Sequence, residues 1–437
     1  MNLKVVKFGG TSLCDADHFR RVAEIIKSDP ARRYVVASAP GKRFSGDTKV
    51  TDLLYRCFAI ATEEGDITEV FEEIKERYTS IIDDLGIEID LTEAFEKIRS
   101  ALIHSSGRDY VASRGEYLNS MILAKYLGYN FIDSKKVIFF NEDGSFNAEK
   151  TNEILREYLS RYERAVIPGF YGSMPNGTVK TFTRGGSDIT GSIVARAISA
   201  TLYENWTDVS GVLMADPRII DNPKVIDVVT YKELRELSYM GASVLHEEAI
   251  FPVRQCKIPI NIRNTNHPED PGTFIVPQTD KPNLHTVTGI AGKTGFSTIT
   301  IEKDMMNSDI GFARKVLQVI EENGIPFEHF PSGIDTMTVI VSTSLLENCR
   351  ADVLAGICKN VNPDNVFVED NLSLIAVVGR GMINVKGTAA RVFTSLADAG
   401  INVRMIDQGS SELNIIIGVD SNDYIAAVNA IYNEFIK

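Results

Sequence analysis

The most constraining feature of this sequence is residues 181–200, where a short β-prone run leads through Arg184-Gly-Gly-Ser-Asp188 into a helix of apolar periodicity. Glycines at a strand-to-helix turn let the backbone approach a ligand closely, and the first N–H groups of a helix attract an anion. Arg184 adds a bidentate donor for a carboxylate or a phosphate. Ser187 or Asp188 could instead serve only as the helix N-cap. Capping alone does not explain the paired glycines and the arginine, so we favour a ligand site.

The N-terminal residues predict a strand, a glycine turn, a helix and a second strand. Residues 3–8 form the first strand, residues 17–27 the helix and residues 34–38 the second strand. This order is typical of a parallel sheet covered by helices, in which ligands bind beyond the carboxyl ends of the strands. Lys7, followed by two glycines and two hydroxyls, suits a phosphate group. The chain has no P-loop and no protein-kinase motif, so phosphoryl transfer would need another scaffold.

The following residues continue the α/β pattern. Residues 51–105 are acidic and almost wholly helical in pattern, which predicts a helical subdomain, and a further helix is expected to start at Arg114. The strand candidates are residues 131–133, 136–140, 165–170 and 202–208. Trp206, the single tryptophan, is expected in the core rather than against a ligand. Prolines are dense between residues 264 and 283, so we place a domain boundary near residue 285.

The C-terminal part contains an internal repeat. A Gly-Ile pair recurs at Gly324 and Gly400, and each copy reads strand, helix, strand, strand, helix, strand. This is the ferredoxin-like βαββαβ order, present twice. We predict one such domain over residues 286–370 and a second over residues 371–437, with strands that can be exchanged between the two.

The overall charge excludes two classes of partner. The formal net charge is -13, so the protein does not attract nucleic acid or anionic membranes globally. A local cluster of cations and backbone N–H groups must therefore hold any anionic ligand. The five cysteines lack metal-ligand spacing, and no signal-peptide segment or membrane-spanning apolar run is present, so we expect a cytoplasmic protein with free thiols and no protein-bound metal.

Six motifs in order resemble the aspartokinase branch of the amino acid kinase family, and the resemblance covers the whole chain. The motifs are Lys7-Phe-Gly-Gly10, Ser38-Ala39, Arg114-Gly-Glu116, Arg184-Gly-Gly-Ser-Asp188, Thr207-Asp-Val209 and Asp216-Pro-Arg218. The double repeat resembles a tandem pair of ACT domains. The resemblance implies a three-layer α/β sandwich with a mainly parallel central sheet over residues 1–285, followed by two ferredoxin-like ACT domains.

The resemblance also implies an activity. It predicts ATP-dependent phosphorylation of the side-chain carboxylate of L-aspartate to 4-phospho-L-aspartate, the first step of lysine, threonine and methionine biosynthesis, with Mg²⁺. A carboxylate nucleophile is already ionised at pH 7, so no strong general base is required. Catalysis must instead bring two anions together and neutralise the charge on the γ-phosphoryl group.

By resemblance, specific residues take specific roles. Lys7 would stabilise the transferring phosphoryl group and Asp188 would orient Lys7, while Arg184 and Glu116 would bind the α-carboxylate and α-ammonium of aspartate. For Glu116 the alternative is an ordinary solvated helix charge. Further substrate contacts would come from Ser38, Thr51, Gly185 and Ser187, and nucleotide contacts from Gly9, Gly10, Thr11, Thr207, Asp208, Leu213, Arg218, Ser243 and Val244.

Three departures from the family pattern bear on these roles. Ser243 stands where the family often has a lysine that lends a cation to the nucleotide, and Leu213 replaces a common tyrosine. Residues 43–50 are an insertion relative to the shorter family form and bear on the assignment of Thr51. Nucleotide preference is therefore less constrained than the reaction class.

The tandem repeat implies feedback inhibition by an amino acid and a homodimer formed through the ACT domains, with a tetramer as the alternative. L-lysine is our first choice of effector and L-threonine the second, because acidic loop residues suit a second ammonium group; the alternative is that these acids are ordinary loop charges. The predicted effector residues are Met306, Ser308, Asp309, Gly311, Phe312, Phe327, Glu328, Ser332, Gly333, Ile334 and Asp335. Two rival functions remain open: a kinase of the same fold for another acid such as glutamate, and a catalytically silent amino acid sensor.

Overall fold

A computed structural model describes residues 2–104, 107–183, 185–242, 245, 247–279 and 285–436, with the backbone alone at 247 and 248. The chain divides into two compact units. The first comprises Met1–Val212, Val225–Tyr231 and Ser243–Thr279, and the second comprises Leu213–Lys224, Lys232–Ala242 and Asp280–Lys437. Two short segments before residue 243 thus belong to the C-terminal unit, which no sequence pattern indicated.

The first unit is built around an eight-stranded sheet. Its strands are β1 (Lys4–Phe8), β2 (Arg32–Ala37), β3 (Asn130–Phe131), β4 (Ala165–Pro168), β7 (Leu202–Thr207), β8 (Val228–Thr230), β9 (Ile260–Asn264) and β10 (Thr273–Val276). They lie in the order β3-β4-β2-β1-β7-β9-β10-β8, and all neighbours are parallel except β9 and β10. Strands β5 (Tyr171–Ser173) and β6 (Val179–Thr181) form a separate antiparallel pair.

Helices cover both faces of this sheet. They are α1 (Ala16–Lys27), α2 (Val50–Thr62), α3 (Thr68–Leu85), α4 (Thr92–Ile103), α5 (Arg108–Leu127), α6 (Ala148–Ser160), α7 (Gly186–Ala197) and α9 (Glu247–Gln255). Side chains alternate between the faces along each strand. In β1, Val6 and Phe8 join the hydrophobic core formed with α1 to α5, whereas Lys7 faces α7. The predicted three-layer α/β sandwich with a mainly parallel sheet is confirmed.

Two predicted elements are wrong. Residues 136–140 do not form a strand of the sheet, because the chain makes a 3₁₀ turn at Ser134–Lys136 and then only single β-bridges from Phe139 and Phe140. Buried apolar residues in an irregular segment give the same pattern as a buried strand. Arg114 does not start a helix, since α5 begins at Arg108 and places Arg114 and Gly115 in its second turn.

The second unit contains a six-stranded antiparallel sheet. Its strands are β11 (Gly289–Glu302), β12 (Phe327–His329), β13 (Thr336–Ser342), β14 (Asn365–Val378), β15 (Val403–Asp407) and β16 (Asn414–Asp420), and its helices are α8 (Tyr231–Tyr239), α10 (Phe312–Glu322), α11 (Thr343–Leu346), α12 (Arg350–Val361), α13 (Thr388–Asp398) and α14 (Tyr424–Ile436). The strand order is β12-β13-β11-β14-β16-β15. Gly324 and Gly400 both have left-handed backbone just after α10 and α13, as expected for a repeated turn.

The two repeats share their longest strands. β11 and β14 each have 14 residues, and they pair along most of their length. The second half of β11 pairs with the first half of β14, as at Ile299 and Val368, and the first half of β11 pairs with the second half of β14, as at Ile290 and Val377. Each βαββα repeat is therefore completed by half of a strand that begins the other repeat.

No helix in the described part of the chain combines the length and the apolar composition that crossing a membrane requires.

Candidate active site

Lys7 lies at the carboxyl end of β1 and is 7% exposed. Its ammonium is 2.6 Å from Oδ1 of Asp188 in α7 and 3.4 Å from Oδ1 of Asn205, its register partner in β7. The amide of Asn205 donates to the same Asp188 oxygen at 2.9 Å. The three side chains therefore fix one another, with the Asp188 carboxylate held against the ammonium of Lys7.

Two glycine loops meet beside Lys7. The N–H of Gly9 donates to the carbonyl of Trp206 at 3.0 Å, and the N–H of Gly41 donates to the carbonyl of Gly10 at 2.8 Å. A Cβ on Gly10 would lie 2.9 Å from the carbonyl oxygen of Ala39, which is closer than real Cβ atoms approach. The loops after β1 and β2 thus require glycine for their contact. The ammonium of Lys7 lies 3.6 Å from the position of a Cβ on Gly9, so cation and glycine turn form one surface.

Helix α7 begins without a side-chain cap. Its N-cap residue is Gly185, which has φ of 58°, a left-handed conformation that favours glycine. Ser187 and Asp188 lie inside the first turn of the helix, and the Asp188 carboxylate contacts Lys7. The interpretation of Ser187 or Asp188 as a mere N-cap is therefore wrong.

Glu116 is a buried carboxylate on α5. Its Oε2 atom has no hydrogen-bond partner among the residues that the structure describes. Burial away from water raises the pKa of Glu116 to about 8, although backbone groups of Glu116 and Ala39 lower it in part. The alternative of a solvated helix charge is wrong. A buried carboxylate oxygen without a hydrogen-bond partner is costly, which makes Glu116 a candidate for binding a cationic group.

The substrate-side residues cluster around the loop that follows β2. Asn119, also on α5, donates from Nδ2 to the carbonyl of Ser38 at 2.7 Å. A Cβ on Gly115 would lie 2.8 Å from the Cβ of Ala39, so α5 packs directly on this loop. Thr51 lies in the first turn of α2 and is half-buried, next to Val50, whose N–H donates to the carbonyl of Pro40.

The predicted nucleotide residues are distributed between the two units. Thr207 ends β7, and its hydroxyl donates to the exposed Asp208 at 3.1 Å. Trp206 is 1% exposed and donates to Glu204, so the prediction of a core position is confirmed. Leu213 and Arg218 belong to the second unit, where Arg218 pairs with Asp216 at 2.6 Å. Arg184, Ser243 and Val244 lie outside the described residues.

Sequence reasoning missed two buried amides at this edge of the sheet. Asn205 and Asn119 are almost fully buried and contact Lys7 and Ser38 respectively. The sequence could have indicated a buried contact for Asn205, because a polar residue in an otherwise buried strand needs a hydrogen-bond partner. No sequence pattern distinguishes Asn119, since polar residues are common on helices.

A sequence model of the amino acid kinase family matches residues 2–264, and a model of the ACT domain matches residues 375–435. The chain belongs to the amino acid kinase family. As a member of it, this kinase uses ATP as its co-substrate. It is 41% identical to Aspartokinase 3 of Bacillus subtilis, with 99% of this chain and 98% of that protein covered, which places it in the predicted aspartokinase branch.

Solved structures agree with this assignment. The crystal structure of Clostridium acetobutylicum aspartate kinase is 51% identical over the full length of both chains, with a TM-score of 0.90. E. coli aspartokinase III is 25% identical and covers 99–100% of both chains. Its complex with aspartate and ADP gives a TM-score of 0.75, and its complex with lysine and aspartate gives 0.72.

The predicted effector residues of this kinase lie in two adjacent loops of the second unit. Asn307 donates from its N–H to the carbonyl of Ile334, and Met305 donates to Oδ1 of Asp335 at 2.9 Å. Met306 and Phe312 are buried, and Gly311 caps α10 with a left-handed backbone. The same two loops or β12 contain the remaining predicted residues Ser308, Phe327, Ser332, Gly333 and Ile334.

The acidic groups among these residues already have partners. Asp309 pairs with Lys303 at 2.8 Å and Lys315 at 3.4 Å, and the hydrogen bond from Lys303 lowers its pKa. Glu328 accepts a hydrogen bond of 2.6 Å from the hydroxyl of Tyr239, at the end of α8. Asp309 is therefore already neutralised, whereas Glu328 has one neutral partner and can still accept a cation.

A cavity of about 340 Å³ lies beside the second of these loops. Ser332 and Gly333 line one side of it, and the ion pair of Glu369 and Arg404, 2.9 Å apart, lines another. Opposite charges at one cavity suit a zwitterion. The sequence patterns did not single out Glu369 or Arg404.

Proposed function

We propose that this chain is an aspartate kinase that transfers the γ-phosphoryl group of ATP to the side-chain carboxylate of L-aspartate. The observation that carries the proposal is Glu116, a buried carboxylate whose Oε2 has no hydrogen-bond partner among the described residues. Its helix packs against the loop whose Gly41 contacts the Lys7 turn. Glu116 attracts the ammonium of an amino acid, and Lys7 with its glycine turn attracts phosphate. An amino acid with an anionic side chain can use both.

The transfer needs no proton. A carboxylate oxygen of aspartate attacks the γ-phosphorus, the bond from this phosphorus to the bridging oxygen breaks, and ADP leaves with the electron pair. Lys7 neutralises charge on the phosphoryl oxygens while Asp188 and Asn205 hold it in place. Gly10 and Thr11 cradle phosphates through backbone N–H groups, and Gly9, whose own N–H is bound to Trp206, shapes the turn.

The other predicted contacts form part of the same proposal. Arg184 binds the α-carboxylate, with hydrogen bonds from Ser38, Thr51, Gly185 and Ser187. The nucleotide is held by Thr207, Asp208, Leu213, Arg218, Ser243 and Val244. Mg²⁺ would accompany ATP, and the exposed carboxylate of Asp208 would offer it the hard oxygen donor that it prefers.

We also propose the domain limits given by the sequence: a catalytic domain over residues 1–285 with a helical subdomain at about 51–105, and ACT domains at 286–370 and 371–437. The shared β11 and β14 support exchanged strands between the two ACT repeats. A homodimer through these domains, and a cytoplasmic location, stay predictions.

Hydroxylamine trapping tests the activity. With ATP, Mg²⁺ and hydroxylamine, we expect an acyl hydroxamate from L-aspartate and none from L-glutamate, because the Glu116 pocket must place the reacting carboxylate next to Lys7. Reaction with glutamate alone would indicate a kinase for another acid. The absence of hydroxamate with every acid, together with lysine binding, would indicate a silent sensor.

We propose L-lysine as the feedback inhibitor of an aspartate-pathway enzyme, bound near Glu328. The relative from E. coli has been crystallised with lysine, and Glu328 here can receive a second ammonium group. We expect lysine to inhibit by favouring a less active state. Glu328→Ala should raise the lysine concentration for half-inhibition about tenfold or more, since a charged hydrogen bond is lost.

The matched control for this measurement is Glu347→Ala, an exposed glutamate just after α11. Its inhibition curve should overlay that of the wild type. L-threonine is the comparison effector. Curves that stay flat with lysine in both the wild type and Glu328→Ala would remove lysine as the effector.

A further inference from the structure

The loop between β2 and α2 is closed by a buried ion pair. The guanidinium of Arg77, on α3, is 2.7 Å from the carboxylate of Asp47 in the loop. Their side chains are only 4% and 5% exposed. A buried ion pair holds its geometry only when its remaining donors and acceptors are also satisfied.

These remaining groups are satisfied within the loop itself. Arg77 donates to the carbonyls of Gly41 and Thr48, both at 3.2 Å. Asp47 accepts from the backbone N–H of Arg43 at 2.9 Å and from its side chain at 3.0 and 3.1 Å. The hydrogen bonds from Arg43 and the charge of Arg77 hold the pKa of Asp47 well below its usual range. Residues 43–48 thus form an ordered clamp around Arg77.

Gly41 connects the clamp to the glycine turn next to Lys7. Gly41, whose carbonyl accepts from Arg77, donates its N–H to the carbonyl of Gly10. The two backbones are in close contact, because a Cβ on Gly41 would lie 2.6 Å from the carbonyl carbon of Gly10. A displacement of Gly41 must therefore displace Gly10.

The next residue of α3 contacts the substrate side. Tyr78 is fully buried, and its hydroxyl donates to the carbonyl of Gly115 at 2.8 Å, one residue before Glu116. Two successive residues of one helix thus hold the phosphate turn and the helix that carries Glu116. Lys75, by contrast, pairs with Glu72 at 2.9 Å and shows no hydrogen bond to the loop or the turn among the described residues.

We propose that Arg77 is a positioning residue for phosphate binding, which acts on the Gly9–Thr11 turn through Gly41. This rests on the proposed role of the turn as a nucleotide-phosphate site. Loss of the arginine releases the loop, moves the backbone N–H groups of the turn and weakens nucleotide binding, whereas the helix that carries Glu116 keeps its own anchor in Tyr78.

Arg77→Met tests this role. We expect the Kd for ADP, measured by titration calorimetry, and the KM for ATP to rise about tenfold, with a lower kcat, because small misplacements of binding groups cost this much or more. The KM for aspartate should rise less than the KM for ATP, because Ser38 and Thr51 flank the released loop but Tyr78 still anchors the helix of Glu116. Arg77→Lys, which keeps the charge beside Asp47 with a single donor group, should give intermediate values and serves if Arg77→Met does not fold.

Lys75→Met is the matched control and should leave all three constants unchanged. A purely structural role predicts another pattern: a lower Tm, with the Kd for ADP and the KM for ATP unchanged in the folded variant. That result would overturn the proposal. The ADP titration does not depend on turnover, so a wild-type protein that binds ADP but does not phosphorylate aspartate would contradict the proposed function and still decide the role of Arg77.

Discussion

Lys7→Ala should lower kcat by about 10³-fold or more, the range seen when a cation that stabilises a transferring phosphoryl group is removed. The ammonium is held by Asp188 and Asn205 beside the glycine turn, so no solvent reorganisation is needed as charge develops. The KM for aspartate should change far less than kcat, because the lysine acts on the phosphoryl group. Steady-state rates of ADP release at saturating substrates measure the effect.

Lys4→Ala provides the matched control. Lys4 lies on the same strand and also forms buried or partly buried ion pairs, with Asp29 at 2.8 Å and Glu204 at 3.1 Å. It should lower the free energy of unfolding but leave kcat within about threefold of the wild type, because charged hydrogen bonds are lost away from the transferred group. Near-normal turnover of a folded Lys7→Ala protein would mean that the phosphate site lies elsewhere.

The position of Lys7 at the carboxyl end of a parallel strand followed from sequence because two general rules apply to it. A strand followed by a glycine turn and a helix predicts a parallel sheet, and the carboxyl ends of parallel strands meet at one edge. The contact of Asp188 with Lys7 was implied only by the family resemblance, because β6, which precedes α7, pairs with β5 outside the parallel sheet.

The sequence does not predict that α8 belongs to the second unit. Glu233 on this helix is fully buried and pairs with Arg380 at 2.9 Å, and Glu236 accepts from Asn414 at 2.6 Å. These partners lie far along the chain. A glutamate that will be buried with a distant arginine has the same local pattern as one that faces water.

The pairing of β11 with β14 could not be predicted from sequence for another reason. Each strand reads as an ordinary member of its own repeat, and the extra residues at either end look like loop sequence. Lys293, Thr294 and Gly295 interrupt the apolar pattern of β11 where its pairing register shifts. Only tertiary pairing shows that the strand continues across this irregularity.

Glu116→Gln should raise the KM for aspartate about 10²-fold or more, as expected when one partner of a buried charged pair is removed. The KM for ATP should stay within about twofold, because Glu116 contacts the loop after β2 and not the glycine turn. Glutamine keeps the shape of the side chain, so lost charge rather than lost packing accounts for the change. An aspartate KM within threefold of the wild type would exclude Glu116 from the ammonium site.

The same substitution should change the pH dependence of stability. The folded-state pKa of Glu116, about 8, lies above the ordinary value of 4.5, so between these pH values the folded state holds a proton that the unfolded chain has lost. The free energy of unfolding therefore falls as pH rises from about 4.5 to about 8, by on the order of 4 kcal/mol, and then levels off. Urea unfolding at pH 5.5 and 8.5 should show this fall in the wild type and in Glu73→Gln, an exposed glutamate on α3, but not in Glu116→Gln.

Substrate binding should reverse this protonation. At pH 7 the free enzyme holds Glu116 protonated, and the α-ammonium of aspartate favours the carboxylate, so binding releases a proton. Calorimetric titration with aspartate in two buffers of different ionisation enthalpy should therefore give different heats in the wild type and equal heats at pH 9, where the proton is already gone. Equal heats in both buffers at pH 7 would mean that Glu116 is ionised before the substrate arrives, and that the cost of burying it is offset by a cation of the protein instead of the substrate.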